Sequence, residues 1–193
     1  MDRRQFIQAG SAASVLGVAA GCASTGGGSG AGGNVVVVGG GYGGATAAKY
    51  IRMWSEGRVN VTLVEPNDSF ISCPISNLVI GGSKQMADIT TPYDNLARRH
   101  GVKIIKDRAV SIDAGKRTVT LAGGTVLPYD RLVLSPGIEF MWDALPGLKK
   151  PGAQDKVLHS WNAAPQTVAL RKQLEAMPDG GVYPLTLPPS PYR

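Results

Sequence analysis

The stretch NVVVVGGGYGGATAAKYIRMW, residues 34–54, constrains the fold more than any other part of the chain. Val35 to Val38 is a β-branched run with no polar alternation. Such a run suits a central parallel strand covered on both faces. Gly39, Gly41 and Gly44 follow at the spacing G-x-G-x-x-G, and Ala45, Ala47, Ala48 and Ile51 then supply small and apolar positions for a helix packed on a sheet. A second strand is expected over Val59 to Val64, closing on Glu65, which lies 21 positions after Gly44. Each part has a physical reason. Gly39 permits a tight turn, Gly41 lets the backbone approach a pyrophosphate, and Gly44 allows close helix–strand packing. The helix N-terminus offers N–H groups and a positive dipole end to phosphates. An acid at the end of the second strand accepts hydrogen bonds from ribose hydroxyls. The glycines alone would be a weak signal; set between a strand and a helix, with the terminal acid in place, they read as a dinucleotide site. An acid at that point, where an arginine would take a 2′-phosphate, leaves FAD and NAD as the ligands.

A chain of 193 residues with 43% hydrophobic and 18% charged residues can build a packed core. The net charge of +6 does not indicate nucleic-acid binding. Arg3 and Arg4 fall in an expected leader, and the other basic residues form no dense tract with interleaved aromatics. Two cysteines without a C-x-x-C spacing, and only two histidines, are too few for a structural zinc site. No metal is expected.

The chain opens MDRRQFIQAGSAASVLGVAAGCASTGGGSGAGG. Arg3-Arg4 followed by Phe6, a short small-residue apolar stretch and a small-residue exit resemble a twin-arginine export signal over residues 1–23. Export to the periplasm is expected, by a route that generally carries folded, cofactor-loaded proteins. Ala19-Ala20-Gly21-Cys22 is close to a lipoprotein box, and simple cleavage near Cys22 to Ser24 fits equally, so membrane attachment is expected only if Cys22 is lipidated. Residues 24–33 read as a Gly/Ser linker.

Downstream, residues 101–139 read as a strand from Val102 to Ile105, another from Ala109 to Asp113, a hairpin of Arg117–Leu121 and Thr125–Leu127, and a buried strand Arg131–Leu134 that ends in Ser135-Pro136-Gly137. A domain binding only NAD more often continues with strand–helix repeats. The hairpin in their place favours FAD. The expected fold class is α/β: a Rossmann-like FAD-binding domain with a parallel sheet plus a β-hairpin or meander.

FISCPISNLVIGG, residues 70–82, holds Cys73. A disulfide lacks a partner, because the other cysteine lies in the leader, and a metal site lacks companion ligands. A buried thiol and a reactive group remain open. Ser76 and Asn77 either stabilise a turn there or hydrogen-bond near a cofactor. Elsewhere, Lys49 and Arg52 are expected to be solvated on the first helix, and His159 to be a capping or surface histidine, the alternative being an acid or base near a flavin. For Tyr42, Trp142 and Trp161 aromatic packing is the expected role, the alternative being to stack on a ring system. A helix is expected over residues 166–177.

The stretches VVVVGGGYGGATAAKYI, VTLVEPN, C-x-x-SN-x-VIGG, YDRLVLSPGIE and HSWNAAPQTVALRKQLEAMPDGG together resemble the flavin-binding subunits of flavocytochrome c sulfide dehydrogenases, relatives of the sulfide:quinone oxidoreductases. The resemblance runs from Asn34 to the C-terminus; Pro74, beside the cysteine, is a small departure from it. It implies oxidation of sulfide to sulfur or polysulfide, with electrons passing through FAD to a cytochrome c subunit. It implies flavin contacts at Gly39, Gly41, Tyr42, Gly43, Gly44, Glu65, Pro66, Val110, Ser135, Pro136 and Gly137. It also implies a thioether from Cys73 to the 8α-methyl of the flavin. Asp130 is expected to end the hairpin segment.

In such proteins the sulfide-reactive disulfide lies further along, beyond the position of Arg193. No catalytic residue is therefore expected within this chain, which reads as the N-terminal part of a truncated two-dinucleotide-domain flavoprotein. The domain organisation expected is 34–150 for the FAD-binding domain, 151–177 for a connecting segment and helix, and 178–193 for the first strand of a second domain, centred on Val182 to Leu187. The alternatives are another FAD-dependent NAD(P)H or quinone oxidoreductase of the same fold, or a non-catalytic FAD-binding remnant.

Overall fold

The computed structural model describes residues 32–159, 161, 163 and 165–184. The leader, Cys22, most of the linker and residues 185–193 lie outside the described residues. The expectations placed on them stand outside the structure.

Strand β1 (Asn34–Val38) leads through the glycine loop into helix α1 (Tyr42–Trp54) and returns as β2 (Asn60–Val64). Strand β3 (Ser69–Ile71) then opens an excursion. It holds a 3-10 turn at Cys73–Ile75, the short helix α2 (Asn77–Ile80) and a second 3-10 turn at Met86–Ile89, and closes on β4 (Thr90–Pro92), antiparallel to β3. Helix α3 (Asp94–His100) and strand β5 (Lys103–Ile105) follow, then the meander β6 (Ala109–Asp113), β7 (Thr118–Leu121) and β8 (Val126–Pro128), and β9 (Arg131–Leu134). A short helix α4 (Ala153–Lys156) precedes α5 (Pro165–Ala176).

The parallel sheet has the order β5-β2-β1-β9, which puts the valine run of β1 at its centre. The absence of alternation in that run now has a cause. Val35 and Val37 join Val61, Leu63, Ala48 and Tyr93 in the core under the helices. Val36 and Val38 join Val64, Val119 and Leu121 in a second core under the meander. Successive side chains point to opposite faces; since both faces are covered, every position is apolar. Burying one such side chain stabilises the fold by roughly 1.5–3 kcal/mol.

Helix α1 stops where the chain turns into the left-handed region at Glu56 and Gly57. Arg52, expected in solvent, instead donates from its guanidinium to the carbonyls of Gly57 (2.7 Å), Val59 (2.6 Å) and His100 (2.9 Å). Three carbonyls left open by the ends of α1 and α3 are satisfied by one side chain, which sequence periodicity cannot register. Lys49 points past the Tyr50 ring, 5.3 Å from its centroid.

One strand expectation is corrected. Strand β9 is only half buried, with Leu134 58% exposed, because it pairs with β1 alone at the edge of the sheet among the described residues. Residues 182–184 carry no strand and Val182 is exposed, while the rest of the expected segment, 185–187, lies outside the described residues. No helix among the described residues is long and apolar enough to cross a membrane.

Candidate functional site: the glycine loop and the Cys73 cavity

The glycine loop is built at the carboxyl end of β1, where parallel sheets place their ligands. Gly39 has φ +94°, and a Cβ on it would stand 1.9 Å from the Ser135 carbonyl oxygen. Gly44 is pressed equally hard, 1.8 Å from the Gly39 oxygen for an added Cβ. Gly41 differs: no atom lies within 4 Å of its would-be Cβ. It is the N-cap of α1, with no capping side chain and no acid in the first turn. The first-turn N–H groups of α1 therefore face an open, uncapped concavity bordered by Ser135, which an anion with several oxygens fits. Ser135 is held to the end of β1 by its own N–H, which donates to the Val38 carbonyl at 2.8 Å. Its Oγ stands 2.9 Å from the Cβ that Gly43 lacks. Gly137 turns the chain away at φ +80°.

Glu65 is 7% exposed and thoroughly engaged. Gly40 N donates to its Oε2 at 2.8 Å, and Asn67 donates to its Oε1 from both the backbone N (3.0 Å) and Nδ2 (2.7 Å). A carboxylate has about four acceptor directions. Three are in use here, so one on Oε2 remains for a ribose hydroxyl. Pro66 is exposed beside it. Val110 falls at the bulge where the β6–β7 register shifts between Ala109 and Ser111, so the ladder passes it by. That geometry leaves its main chain outside the regular pairing. Asp130 accepts from Asn34 N at 2.6 Å and so ties the start of β1 to the entry of β9, away from the glycine loop.

The glycine loop and the Cys73 segment touch. The Tyr42 hydroxyl, at the first residue of α1, hydrogen-bonds the Ser72 hydroxyl, and the Tyr42 ring meets Phe70 edge-on at 4.7 Å. Tyr42 thus packs on another aromatic while staying 56% exposed on the open side of the loop. Cys73 begins the 3-10 turn, and its carbonyl accepts from Ser76 Oγ at 2.7 Å, which assigns Ser76 a turn-stabilising role. Asn77 is exposed. The Cys73 sulfur accepts from Ala163 N at 3.3 Å, which brings the chain before α5 onto the cysteine. Arg171 on α5 closes the same contact by donating to the Ile80 carbonyl at 3.1 Å.

Cys73 lines a cavity of about 420 Å³ together with Phe140, Trp142, His159 and Trp161. The Phe140 ring lies 4.3 Å from His159, 4.8 Å from Trp142 and 5.5 Å from Trp161. Trp142 and Trp161 pack on Phe140 as expected of aromatics, and do so in the wall of this cavity. His159 is not a surface histidine. Its Nδ1 is buried without a hydrogen-bond partner, and burial lowers its pKa. Since the unfolded chain then binds the proton more readily than the folded one, stability is complete above the ordinary histidine value of about 6.5 and falls as pH drops through the lowered value. The expected result is a melting temperature that declines on acidification below about pH 6.5, with that part of the decline absent in His159→Leu. Thermal unfolding at a series of pH values measures it.

Three further contributors carry little signal in the sequence. Gly40, the unspecified second position of the glycine motif, has its N–H on Glu65 and its carbonyl on the Tyr93 hydroxyl at 2.9 Å. Asn67 is visible only as the residue two after the acid. Phe140 could be suspected only from its nearness to Trp142. No cluster of metal-ligating side chains occurs among the described residues.

A parallel sheet covered by helices on one face and a β-meander on the other, with an uncapped glycine loop and an acid ending the second strand, defines a dinucleotide-binding domain of the flavoprotein type. The sequence profile of the family described as "Pyridine nucleotide-disulphide oxidoreductase" matches residues 33–176, and the chain belongs to that family. It is similar to the mitochondrial sulfide:quinone oxidoreductase of Dictyostelium discoideum, 28% identical over 148 residues, covering 76% of this chain and 32% of that protein. It is 58% identical over 38 residues to the sulfide dehydrogenase [flavocytochrome c] flavoprotein chain of Chlorobaculum thiosulfatiphilum, covering 20% of this chain and 77% of that sequence. Among solved structures, the sulfide:quinone oxidoreductase of Aquifex aeolicus superposes with a TM-score of 0.60 at 29% identity, covering 74% of this chain and 31% of that one. The chain thus spans about a third of the length of the sulfide:quinone oxidoreductases it matches over most of its own length.

Proposed function

We propose that this chain is the FAD-binding part of an exported sulfide-oxidising flavoprotein, with the flavin tethered at Cys73 and a cytochrome c as electron acceptor. The observation that carries the reading is the position of Cys73. It lines an aromatic-walled cavity and is joined, through Ser72 and Tyr42, to the first residue of the phosphate-facing helix. A cofactor whose pyrophosphate lay on the Gly41 side of the loop would extend along Tyr42 towards the sulfur. The residues present fit FAD. Gly41, Gly43 and the first turn of α1 would hold the pyrophosphate, Glu65 the ribose, Ser135 to Gly137 the inner edge of the loop, and Val110 the adenine.

When bound, FAD supplies two-electron acceptance from sulfide and stepwise release to an acceptor. The chain's own residues bind and orient it. Phe140, Trp142 and Trp161 would present ring faces and edges to it. Cys73 would hold one end of the ring system by a thioether, its S–H and one 8α C–H bond being exchanged for a C–S bond. The two electrons and two protons released would need the oxidised flavin itself as their acceptor.

The 58% identity with a flavocytochrome c flavoprotein chain favours cytochrome c as the acceptor. The longer match to sulfide:quinone oxidoreductases favours a second reading, in which a quinone takes the electrons. Residues able to react directly with sulfide are not assigned within the described chain.

The test is acid precipitation of the purified flavin-loaded protein followed by in-gel fluorescence. Yellow fluorescence is expected to stay with the polypeptide and to be lost completely in Cys73→Ala, with FAD then released to the supernatant. Release of all flavin from the unmodified protein sinks the tether. Cytochrome c and a short-chain quinone, offered in turn to the reduced protein, separate the two acceptors.

A further inference from the structure

Tyr93 stands just before α3, 53 positions from Gly40 in the chain, and its side chain passes beneath the glycine loop. It is 6% exposed and packs in the helix-side core with Val37, Val102 and Ala48. Its hydroxyl donates to the Gly40 carbonyl at 2.9 Å. On the other side of the same residue, Gly40 N donates to Glu65 Oε2 at 2.8 Å. Gly40 is therefore gripped at both of its backbone polar groups by side chains that arrive from two different elements.

The consequence falls on the next residue. The Gly40 carbonyl and the Gly41 N–H belong to one planar trans peptide and point in opposite directions. A group that holds the carbonyl towards the core therefore holds the N–H away from it. The Gly41 side is the open one, with no atom within 4 Å of a would-be Cβ. A Cβ on Gly40, by contrast, would stand 2.5 Å from the Tyr93 oxygen, so the grip requires glycine there.

We propose that Tyr93 is a positioning residue for the phosphate-binding loop, which by holding the Gly40 carbonyl aims the Gly41 N–H at a pyrophosphate oxygen. The proposal rests on the reading that this loop takes FAD. Burial, and secondly the negative charge of Glu65, push the Tyr93 hydroxyl well above its ordinary pKa, so it remains a donor throughout the physiological range. Phenylalanine would fill the same space but leave the carbonyl unpaired. The peptide could then turn over and present its oxygen, not its N–H, to the phosphate.

The probes are ADP and adenosine, which differ only in the pyrophosphate, titrated into the full chain. In Tyr93→Phe the dissociation constant for ADP is expected to rise about tenfold while that for adenosine is unchanged, the size expected for one lost charge-assisted hydrogen bond. Val102→Ala, which loosens the same core without touching Gly40, is expected to lower the melting temperature and leave the ADP-to-adenosine ratio alone. Tyr93→Phe that binds ADP as tightly as the unmodified chain, or that loses ADP and adenosine in proportion, overturns the assignment. If Tyr93→Phe does not fold, the amide resonance of Gly41 in the unmodified chain decides. A large downfield shift on adding ADP supports the proposal, and an unmoved resonance overturns it. An unmodified chain that binds neither ADP nor FAD overturns the underlying reading, and Tyr93's role with it.

Discussion

Replacing Gly39 with alanine is expected to destabilise the chain by roughly 3 kcal/mol or more and to abolish FAD retention. Two separate penalties act. Residue 39 is in the left-handed region at φ +94°, which a Cβ disfavours. The added carbon would also stand 1.9 Å from the Ser135 carbonyl oxygen, a backbone atom fixed by the pairing of β9 with β1, so it cannot move aside as a flexible side chain would. Gly41→Ala is the informative partner. At φ −66° and with open space around it, the methyl group is tolerated by the fold, and the melting temperature is expected to stay near that of the unmodified chain. FAD affinity is nevertheless expected to collapse, because the methyl occupies the approach of the pyrophosphate. Thermal unfolding and flavin-fluorescence titration on the two variants separate a structural glycine from a binding one. Equal loss of stability in both would contradict the geometry.

The second large effect is expected at Glu65. Its carboxylate accepts from Gly40 N and from two donors of Asn67, in a site that is almost fully buried. Truncation to alanine strands all three donors and opens a hole at the end of β2. A buried donor left without its acceptor costs about 1–3 kcal/mol, and more where the partner was charged, so a loss of roughly 3–5 kcal/mol is expected for Glu65→Ala. Glu65→Gln keeps the shape and one acceptor oxygen, and is expected to recover part of the stability. It presents donor hydrogens where Gly40 N or Asn67 needs an acceptor, so it does not restore binding. Chemical denaturation checks the first statement and ADP titration the second. Stability unaffected by Glu65→Ala would mean that the loop is held by something other than this carboxylate.

The part of the site that could be read from the sequence is the part built by neighbours in the chain. Val35 to Val38, the glycine spacing and the acid that closes β2 form one continuous strand–loop–helix–strand unit, and each residue there has a local reason to be what it is. The meander was legible for a similar cause, since the turn at Ala122 to Gly124 fixes β7 against β8. What stayed hidden comes from far away. Tyr93 reaches the loop across 53 positions, and nothing in its own surroundings distinguishes it from any tyrosine ahead of a helix. His159 looks like a capping residue until Phe140 is laid against it. Arg52 reads as a solvated helix residue because its acceptors are carbonyls, which the sequence does not display. The apolar residues of β9 predict a buried strand, yet burial depends on how many strands lie beyond it, a property of the sheet and not of the segment.

The same distinction orders the chemistry. The proposed phosphate site depends on backbone geometry, which Gly39, Gly44, Tyr93 and Glu65 constrain and Gly41 leaves open. The Cys73 cavity, where the proposal places the flavin, gathers side chains from three separate stretches: Cys73 from the excursion between β3 and β4, Phe140 and Trp142 from the loop after β9, and His159 and Trp161 from the chain before α5. The contact of Ala163 N with the Cys73 sulfur shows that the last of these stretches docks directly on the cysteine.

Tryptic peptide mapping of the flavin-loaded protein tests the central claim most directly. Residues 59–84 lie between Arg58 and Lys84 with no internal cleavage point, and they contain Cys73 as their only cysteine. The account predicts that this peptide carries the mass of one FAD less two hydrogens, or of the flavin fragment left after phosphodiester cleavage. Recovery of the peptide unmodified, with all of the flavin in the protein-free fraction, would contradict it.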